Sequence, residues 1–177
     1  MNVQLHMIRP AIVGDGGFLA RLRAASLSEL QLLEPGCAAT FETDAERAFE
    51  GLLARDEIVA RLLVVGGDVV GSACVMFWHR LPYATTPLHG ELAGVYVARA
   101  HRRRGFARRL CGEVLAAAHK RNVRRVVVHP SPAGRALYAG LGFVPSGELR
   151  LGTSEGGYAV HSCGAPGLEV DISKITT

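Results

Sequence analysis

Apolar residues recur along this chain with two different spacings, and the changes between them outline its elements. Alternating or continuous runs rich in β-branched residues indicate strands, whereas apolar residues three or four positions apart indicate one face of a helix. Strands are predicted over residues 5–11, 58–65, 69–77, 123–129, from Glu91 onward, from residues 142–145 onward and near 168–172. Helices are predicted from an apolar stripe between Phe18 and Leu27 and over residues 44–55, 105–121 and 133–141.

Capping and turn residues separate these elements. Asp15 and Asp44 are placed to cap the first two helices, and Gly66-Gly67-Asp68 between two β-rich runs is typical of a hairpin. The order β-α-α-β-β-β-α-β-α-β predicts an α/β (α+β) fold with a mixed sheet flanked by helices. We expect one domain over residues 1–177, with a core at about 5–151 and a C-terminal extension at 152–177.

The most informative stretch runs from Glu91 to Arg109, where a strand leads through a basic turn into a helix that Gly105 opens. Gly94 stands in the strand where a β-bulge is expected. The first N–H groups of a helix have no partner within it, and they lie at the positive end of its dipole. The turn therefore predicts an anion site, most simply for a phosphate, although a solvated basic loop would show a similar composition.

Composition narrows the class of protein. With 177 residues, 49% of them hydrophobic, the chain has enough apolar surface for one well-packed domain. No apolar run approaches the roughly 20 residues that a membrane helix needs, and the first residues do not resemble a signal peptide. The cysteines are far apart in the sequence, which favours reduced thiols in a cytoplasmic protein and gives no metal motif. They are Cys37, Cys74, Cys111 and Cys163.

Charge is segregated along the chain, although the net charge is only +4. Residues 99–125 hold ten of the twenty Lys and Arg residues but a single acid, Glu113. Residues 29–57 hold eight acids against Arg47 and Arg55. The basic 99–125 region suits a polyanionic cofactor, and the acidic 29–57 region suits a cation. Aromatic residues are not interleaved with the arginines, which argues against nucleic-acid binding.

Two motifs resemble those of the GNAT N-acetyltransferase superfamily. Arg102-x-x-Gly105-x-Ala107 directly after a strand resembles the acyl-CoA pyrophosphate loop. The run Ser131-Pro-Ala-Gly-Arg-Ala-Leu-Tyr138-Ala-Gly-Leu-Gly-Phe143 resembles the closing segment of these enzymes. The resemblance implies a mostly antiparallel sheet of six to seven strands in which the central strand splays from the 123–129 strand and opens a slot for a thioester.

The resemblance also implies acetyl-CoA as acyl donor, with no metal. The backbone of the central strand would bind the pantetheine arm, and the turn with the first helical amides would bind the pyrophosphate. Ser131 stands where the family often has Asn, so its contact to the pantetheine would be shorter. The cofactor residues implied are Val95, Tyr96, Val97, Arg102, Arg103, Arg104, Gly105, Phe106, Ala107, Arg108 and Ser131.

For the chemistry, the resemblance implies direct attack of an amine on the thioester in a ternary complex. Glu91 matches a catalytic Glu that serves as base, directly or through water, although it could instead pair with His89 at the strand end. Tyr138 matches the general acid for the thiolate, with a core aromatic as the alternative. A backbone N–H freed near Gly94 would bind the oxyanion. His129 is an alternative base, for which an ordinary satisfied histidine is the competing interpretation.

The acidic 29–57 region corresponds to the helices that cover the acceptor site in this family. This favours a cationic small molecule, such as an aminoglycoside-like antibiotic, with a role in resistance, or a polyamine. A protein N-terminus or lysine, or a CoA sensor without catalysis, are the alternatives. We expect neither nucleic acid nor membrane as partner, and a homodimer is one option for the glycine-rich tail. Candidate substrate residues are Glu42, Asp44, Trp78, His79 and Tyr83.

Overall fold

A computed structural model of the chain describes residues 5–79 and 88–146. Its strands are β1 (His6–Pro10), β2 (Ile58–Val65), β3 (Asp68–His79), β4 (Leu88–Val97) and β5 (Arg125–Val128). Its α-helices are α1 (Gly16–Glu29), α2 (Ala38–Ala54), α3 (Phe106–Lys120) and α4 (Arg135–Ala139). None of the helices within the described ranges is both long and apolar enough to cross a membrane.

The five described strands form one mixed sheet in the order β1-β2-β3-β4-β5. Neighbouring strands are antiparallel except β4 and β5, which are parallel. The predicted mixed and mostly antiparallel sheet is therefore confirmed. The strand expected to start at residues 142–145 is not formed as far as Ser146, and its continuation and the one near 168–172 lie outside the described residues.

The two faces of the sheet carry different helices, as the alternation of side chains along a strand requires. On one face α3 buries Leu110, Val114 and Ala118 completely, four residues apart, against a layer that includes Leu92 and Val75. On the other face Leu19 and Leu22 of α1 pack on Leu62 and Cys74. Each fully buried leucine contributes about 2 kcal/mol of transfer free energy, so these two layers fix the sheet between the helices.

Helix boundaries differ from the sequence prediction mainly at α2. This helix begins at Ala38, so Asp44 lies inside it and does not cap it. The first turn instead continues from Cys37, which is buried with Leu33 and Ala24 in a small apolar cluster under the α1–α2 connection. Tertiary burial therefore extends α2 beyond the capping signal that the sequence offers.

The expectation of four reduced cysteines is wrong for Cys37, which is disulfide-bonded. Sequence separation did not exclude this, because folding brings distant residues within bonding distance. Cys74 and Cys111 are free and buried, and burial raises the pKa of each thiol to about 12. Both are therefore protonated at neutral pH and are core residues, not nucleophiles. Cys163 lies outside the described residues.

Asp15 occupies the N-cap position of α1, but its carboxylate makes no capping bond. Arg9 instead donates from Nη1 and Nη2 to Oδ2 and Oδ1, both at 2.7 Å, and the Ile12 N–H donates to Oδ2 at 2.8 Å. Asp15 is only 4% exposed. The hydrogen bonds from Arg9 outweigh desolvation and hold the pKa of Asp15 below its ordinary value. The bonds join the end of β1 to the start of α1.

We expect Asp15→Asn to lower the free energy of unfolding by about 2 kcal/mol at pH 7, because it removes the charge from a buried pair. Because the pKa is lower in the folded chain, the contribution is complete above about pH 4 and is lost as the pH falls through the folded value. Urea unfolding of both proteins at pH 7 and pH 3 checks this. Asp44→Asn, which removes an exposed 3.6 Å pair with Arg47, is the control and should change stability by less than about 0.5 kcal/mol. An equal effect of the two substitutions would contradict the prediction.

Candidate active site

The parallel strands β4 and β5 separate halfway along β4. Their pairing runs from His89 opposite Arg125 to Leu92 opposite Val128, where β5 ends. Residues 93–97 of β4 continue without a β5 partner, and Ala93, Tyr96 and Val97 remain paired with β3. The structure thus contains the predicted splay, and the edge of β4 beyond Leu92 presents main-chain groups to the gap.

The predicted bulge lies at the start of this gap. Ser72 of β3 is opposite Tyr96 and Cys74 is opposite Ala93, so one extra residue is inserted in β4 between them. Gly94 takes a left-handed φ of +59°, and Ser72, which is 3% exposed, donates from Oγ to the Gly94 carbonyl at 2.9 Å. The bulge bends β4 and changes the direction of the side chains that follow it.

Between β4 and α3 the chain forms the turn that the sequence assigns to an anion. Arg103 and Gly105 have φ of +63° and +77°, and α3 begins at Phe106 without a side-chain cap. A Cβ placed on Gly105 would meet no atom within 4 Å, so the space in front of the first helical turn is open. The N–H groups of Phe106, Ala107 and Arg108 therefore face a position that an anion can reach.

Arg102, predicted to bind the cofactor, has its guanidinium engaged within the protein. Nε donates to the Val97 carbonyl at 2.7 Å, and Nη2 donates to the two carboxylate oxygens of Glu29 at 3.0 and 2.8 Å. Tyr96 donates from its hydroxyl to the same carboxylate at 2.8 Å. Desolvation raises the pKa of Glu29, but these hydrogen bonds with the charges of Arg102 and Arg99 together lower it. Arg102 thus ties the turn to the end of α1.

One of the other predicted arginines is also engaged within the protein. Arg108 donates from Nη2 to the Gly140 carbonyl at 2.7 Å, which joins the first turn of α3 to the end of α4. Arg103 and Arg104 are exposed on the turn itself. The side chains open to an incoming anion in this turn are therefore those of Arg103 and Arg104, beside the backbone amides.

Glu91 forms an ion-pair contact with His129, not with His89 as its alternative interpretation suggested. Nδ1 of His129 lies 3.0 Å from Oε1 of Glu91, and both side chains are 29% exposed. Since Leu92 is buried against α3, its neighbour Glu91 points to the opposite face, which carries α1 and α2. His129 follows β5 directly, so the pair lies where β4 and β5 separate.

Tyr138 lies on the other face of the gap. Its ring packs with the α3-side core and meets Phe143 edge-on, with 5.9 Å between ring centroids. A Cβ on Gly134 would lie 3.0 Å from the Tyr138 ring and 3.4 Å from Ser131 Oγ, so these two side chains flank the same glycine. Tyr138 and His129 both line an open cavity of about 820 Å³ beside β5.

The candidate substrate residues fall into two groups. Trp78 pairs with His89 across β3 and β4, with ring centroids 6.1 Å apart, and shares the face of Glu91. His79 is exposed at the end of β3, and Tyr83 lies outside the described residues. Glu42 and Asp44 lie on α2, and no hydrogen bond or ion pair among the described residues joins them to Glu91. Of the candidates within the described residues, Trp78 therefore shares the sheet face of Glu91 and lies opposite His89, two residues along β4 from it.

Sequence reasoning missed one residue of this surface. Met76 stands in an apolar run for which the sequence predicts a core residue, but it is 36% exposed and lies opposite Glu91 in the β3–β4 register. Its place in a strongly apolar strand gives no sign of this exposure. The apolar cluster beneath α1 and α2 includes residues of β2 and the first half of β3 but not Met76. Within residues 5–79 and 88–146, no three His, Cys, Asp or Glu side chains are grouped as a metal site requires.

The acetyltransferase (GNAT) family model matches residues 25–143. Among solved structures, a GCN5-related N-acetyltransferase from Ralstonia eutropha JMP134 is similar, with a TM-score of 0.74 and 22% identity over 84% of this chain and 98% of that one. A predicted acetyltransferase with acetyl-CoA from Clostridium acetobutylicum has a TM-score of 0.75 and 23% identity over 84% of this chain and 96% of that one. Glucosamine-6-phosphate N-acetyltransferase from Arabidopsis thaliana has a TM-score of 0.65 and 16% identity over 85% of this chain and 99% of that one. No curated protein matches the sequence.

Proposed function

The chain belongs to the GNAT family of acetyltransferases, and from this premise we propose that it transfers the acetyl group of acetyl-CoA to a primary amine of a cationic small molecule. One observation carries the assignment of the site. The Glu91–His129 pair and Tyr138 lie on opposite faces of the gap between β4 and β5. A thioester held in that gap has a base on one side and an acid on the other.

The cofactor is proposed to lie along the gap. The free edge of residues 93–97, including Val95, Tyr96 and Val97, would pair with the amides of the pantetheine arm. The Val97 carbonyl already accepts a bond from Arg102, so pairing there uses its second lone pair or the neighbouring groups. The pyrophosphate would bind the first amides of α3, with Arg103 and Arg104 adding charge.

The reaction needs few groups. A neutral amine attacks the thioester carbon, a proton leaves the amine for the Glu91–His129 pair, and the carbon–sulfur bond breaks. A main-chain N–H at the Gly94 bulge would stabilise the oxyanion, and Tyr138 would donate its hydroxyl proton to the departing thiolate. No acyl-enzyme is required, so both substrates must be bound together.

Two features favour a cationic acceptor. The face that carries Glu91 also carries α1 and α2, whose 29–57 segment has eight acids and two arginines. Glu29, Asp44, Asp56 and Glu57 are ion-paired with arginines, so part of this charge is neutralised locally. Trp78 offers an aromatic surface to an ammonium group beside Glu91. An aminoglycoside-like amine or a polyamine meets these requirements.

Thiol release from acetyl-CoA, measured against aminoglycosides, polyamines, amino acids and peptides, tests the proposal. We expect turnover on one cationic small-molecule class, and an increase in KM of about fivefold for that amine in the Glu42→Gln/Asp44→Asn variant, from long-range attraction alone. Asp68→Asn/Glu113→Gln, which removes two exposed acids outside the 29–57 segment, is the control. Preferred turnover of peptides would contradict the acceptor class, and acetyl-CoA binding with no turnover would favour a sensor.

A further inference from the structure

The contact between Glu91 and His129 indicates different roles for the two residues in removing the proton from the amine. On the basis of the proposed function, we propose that Nε2 of His129 is the atom that takes the proton from the acceptor amine. Glu91 is then a positioning residue that holds the imidazole in the required tautomer. The sequence alone favoured the reverse, with Glu91 as base and His129 as an ordinary satisfied histidine.

The geometry of the contact sets the tautomer. Oε1 of Glu91 accepts from Nδ1 of His129 at 3.0 Å, so an ionised Glu91 places the ring proton on Nδ1. The lone pair of a neutral ring then lies on Nε2, at the opposite side of the imidazole from the carboxylate. A carboxylate that orients an imidazole in this way leaves the second nitrogen as the proton acceptor.

The position of His129 suits this role. His129 comes directly after the last paired residue of β5, so its side chain is presented at the mouth of the gap. Its side chain is 29% accessible, so the imidazole is not enclosed by the core. An imidazole nitrogen within reach of the amine can act as a general base.

The proton balance is complete without another reactant. The amine nitrogen forms its bond to the acetyl carbon, and its proton passes to Nε2 as the imidazole becomes an imidazolium. The electron pair of the carbon–sulfur bond leaves with sulfur, which receives a proton from Tyr138. Glu91 stays ionised and stabilises the imidazolium, and the imidazolium then returns its proton to solvent or, through water, to Tyr138.

His129→Asn tests the role of Nε2 as proton acceptor separately from the hydrogen bond that Nδ1 donates to Glu91. The asparagine amide can still donate to Glu91 in place of Nδ1, but it has no basic nitrogen in place of Nε2. We expect kcat to fall about 100-fold while KM for acetyl-CoA stays within about twofold, and imidazole added to His129→Gly to restore part of the rate. His119→Asn, at an exposed position near the end of α3, should leave kcat unchanged.

Glu91→Gln completes the test. The glutamine amide can donate to Nδ1 and hold the ring proton on Nε2, so we expect a similar fall in kcat and no further fall in the double variant. Loss of activity in Glu91→Gln with kcat of His129→Asn within threefold of wild type would overturn the assignment and make the carboxylate the base. Absence of turnover in the wild type on every amine would overturn the proposed function, and this inference with it.

Discussion

Replacing Gly105 by valine should weaken the binding of acetyl-CoA about 100-fold, equivalent to about 3 kcal/mol. Gly105 has a φ of +77°, a conformation that costs an L-residue about 1–2 kcal/mol and a β-branched residue more. The new side chain would also enter the open space in front of the first amides of α3, where we place the pyrophosphate. The backbone strain and the steric obstruction therefore both weaken the binding of the pyrophosphate.

Isothermal titration with acetyl-CoA measures this effect, and Gly112→Val is its matched control. Gly112 is exposed inside the same helix, and a Cβ there also meets no atom within 4 Å. That substitution changes helix propensity by only a few tenths of a kcal/mol and should leave the affinity unchanged. If both variants bound acetyl-CoA as wild type does, the turn would not be the pyrophosphate site.

Tyr138→Phe should lower kcat about 100-fold, at the low end of the range for general acid catalysis, with KM for acetyl-CoA nearly unchanged. Only the hydroxyl is removed. The ring remains packed between Phe143 and the core on the α3 side, so the α4 helix is expected to keep its place. Thiol release at saturating acetyl-CoA, followed as a function of amine concentration, separates kcat from KM.

Tyr96→Phe makes the same chemical change at a residue whose backbone, and not its hydroxyl, is assigned to the cofactor. The Tyr96 hydroxyl donates to Glu29, which Arg102 also binds, so its removal should lower stability by about 1 kcal/mol and leave kcat unchanged. Equal kcat values for Tyr138→Phe and wild type would remove Tyr138 from the mechanism. A fall in kcat of similar size in both variants would indicate a structural effect through the fold.

Local patterns in the sequence determined most of the fold. The helix over 105–121 and the strand over 58–65 were predicted nearly to their ends, because apolar residues recur there at one clear period. The bulge at Gly94 and the start of the helix at Gly105 are also predicted from the sequence, and the structure gives both glycines a left-handed φ, a conformation that other residues avoid. Motif order identified the acetyltransferase family.

Side-chain partners were decided by tertiary structure. The motif predicts Arg102 as a cofactor residue, and folding places the end of α1 beside it, where Glu29 binds its guanidinium. The sequence favours Glu91 as a base, with a pairing to the nearby His89 as the alternative, and the parallel register of β4 and β5 brings His129 within 3.0 Å of Glu91. Residues 38 positions apart in the chain carry no local signal of contact, because only sheet pairing defines their distance.

The sequence by itself determined the elements, the position of the turn before α3 and the reaction class, because each depends on residues that are close together in the chain. Only the tertiary structure decided which residues face the gap, which acids are neutralised by arginines, and that Met76 is exposed beside Glu91. Those properties depend on strand register and on which face each helix covers. Both are set by the packing of the whole core and not by any single stretch of it.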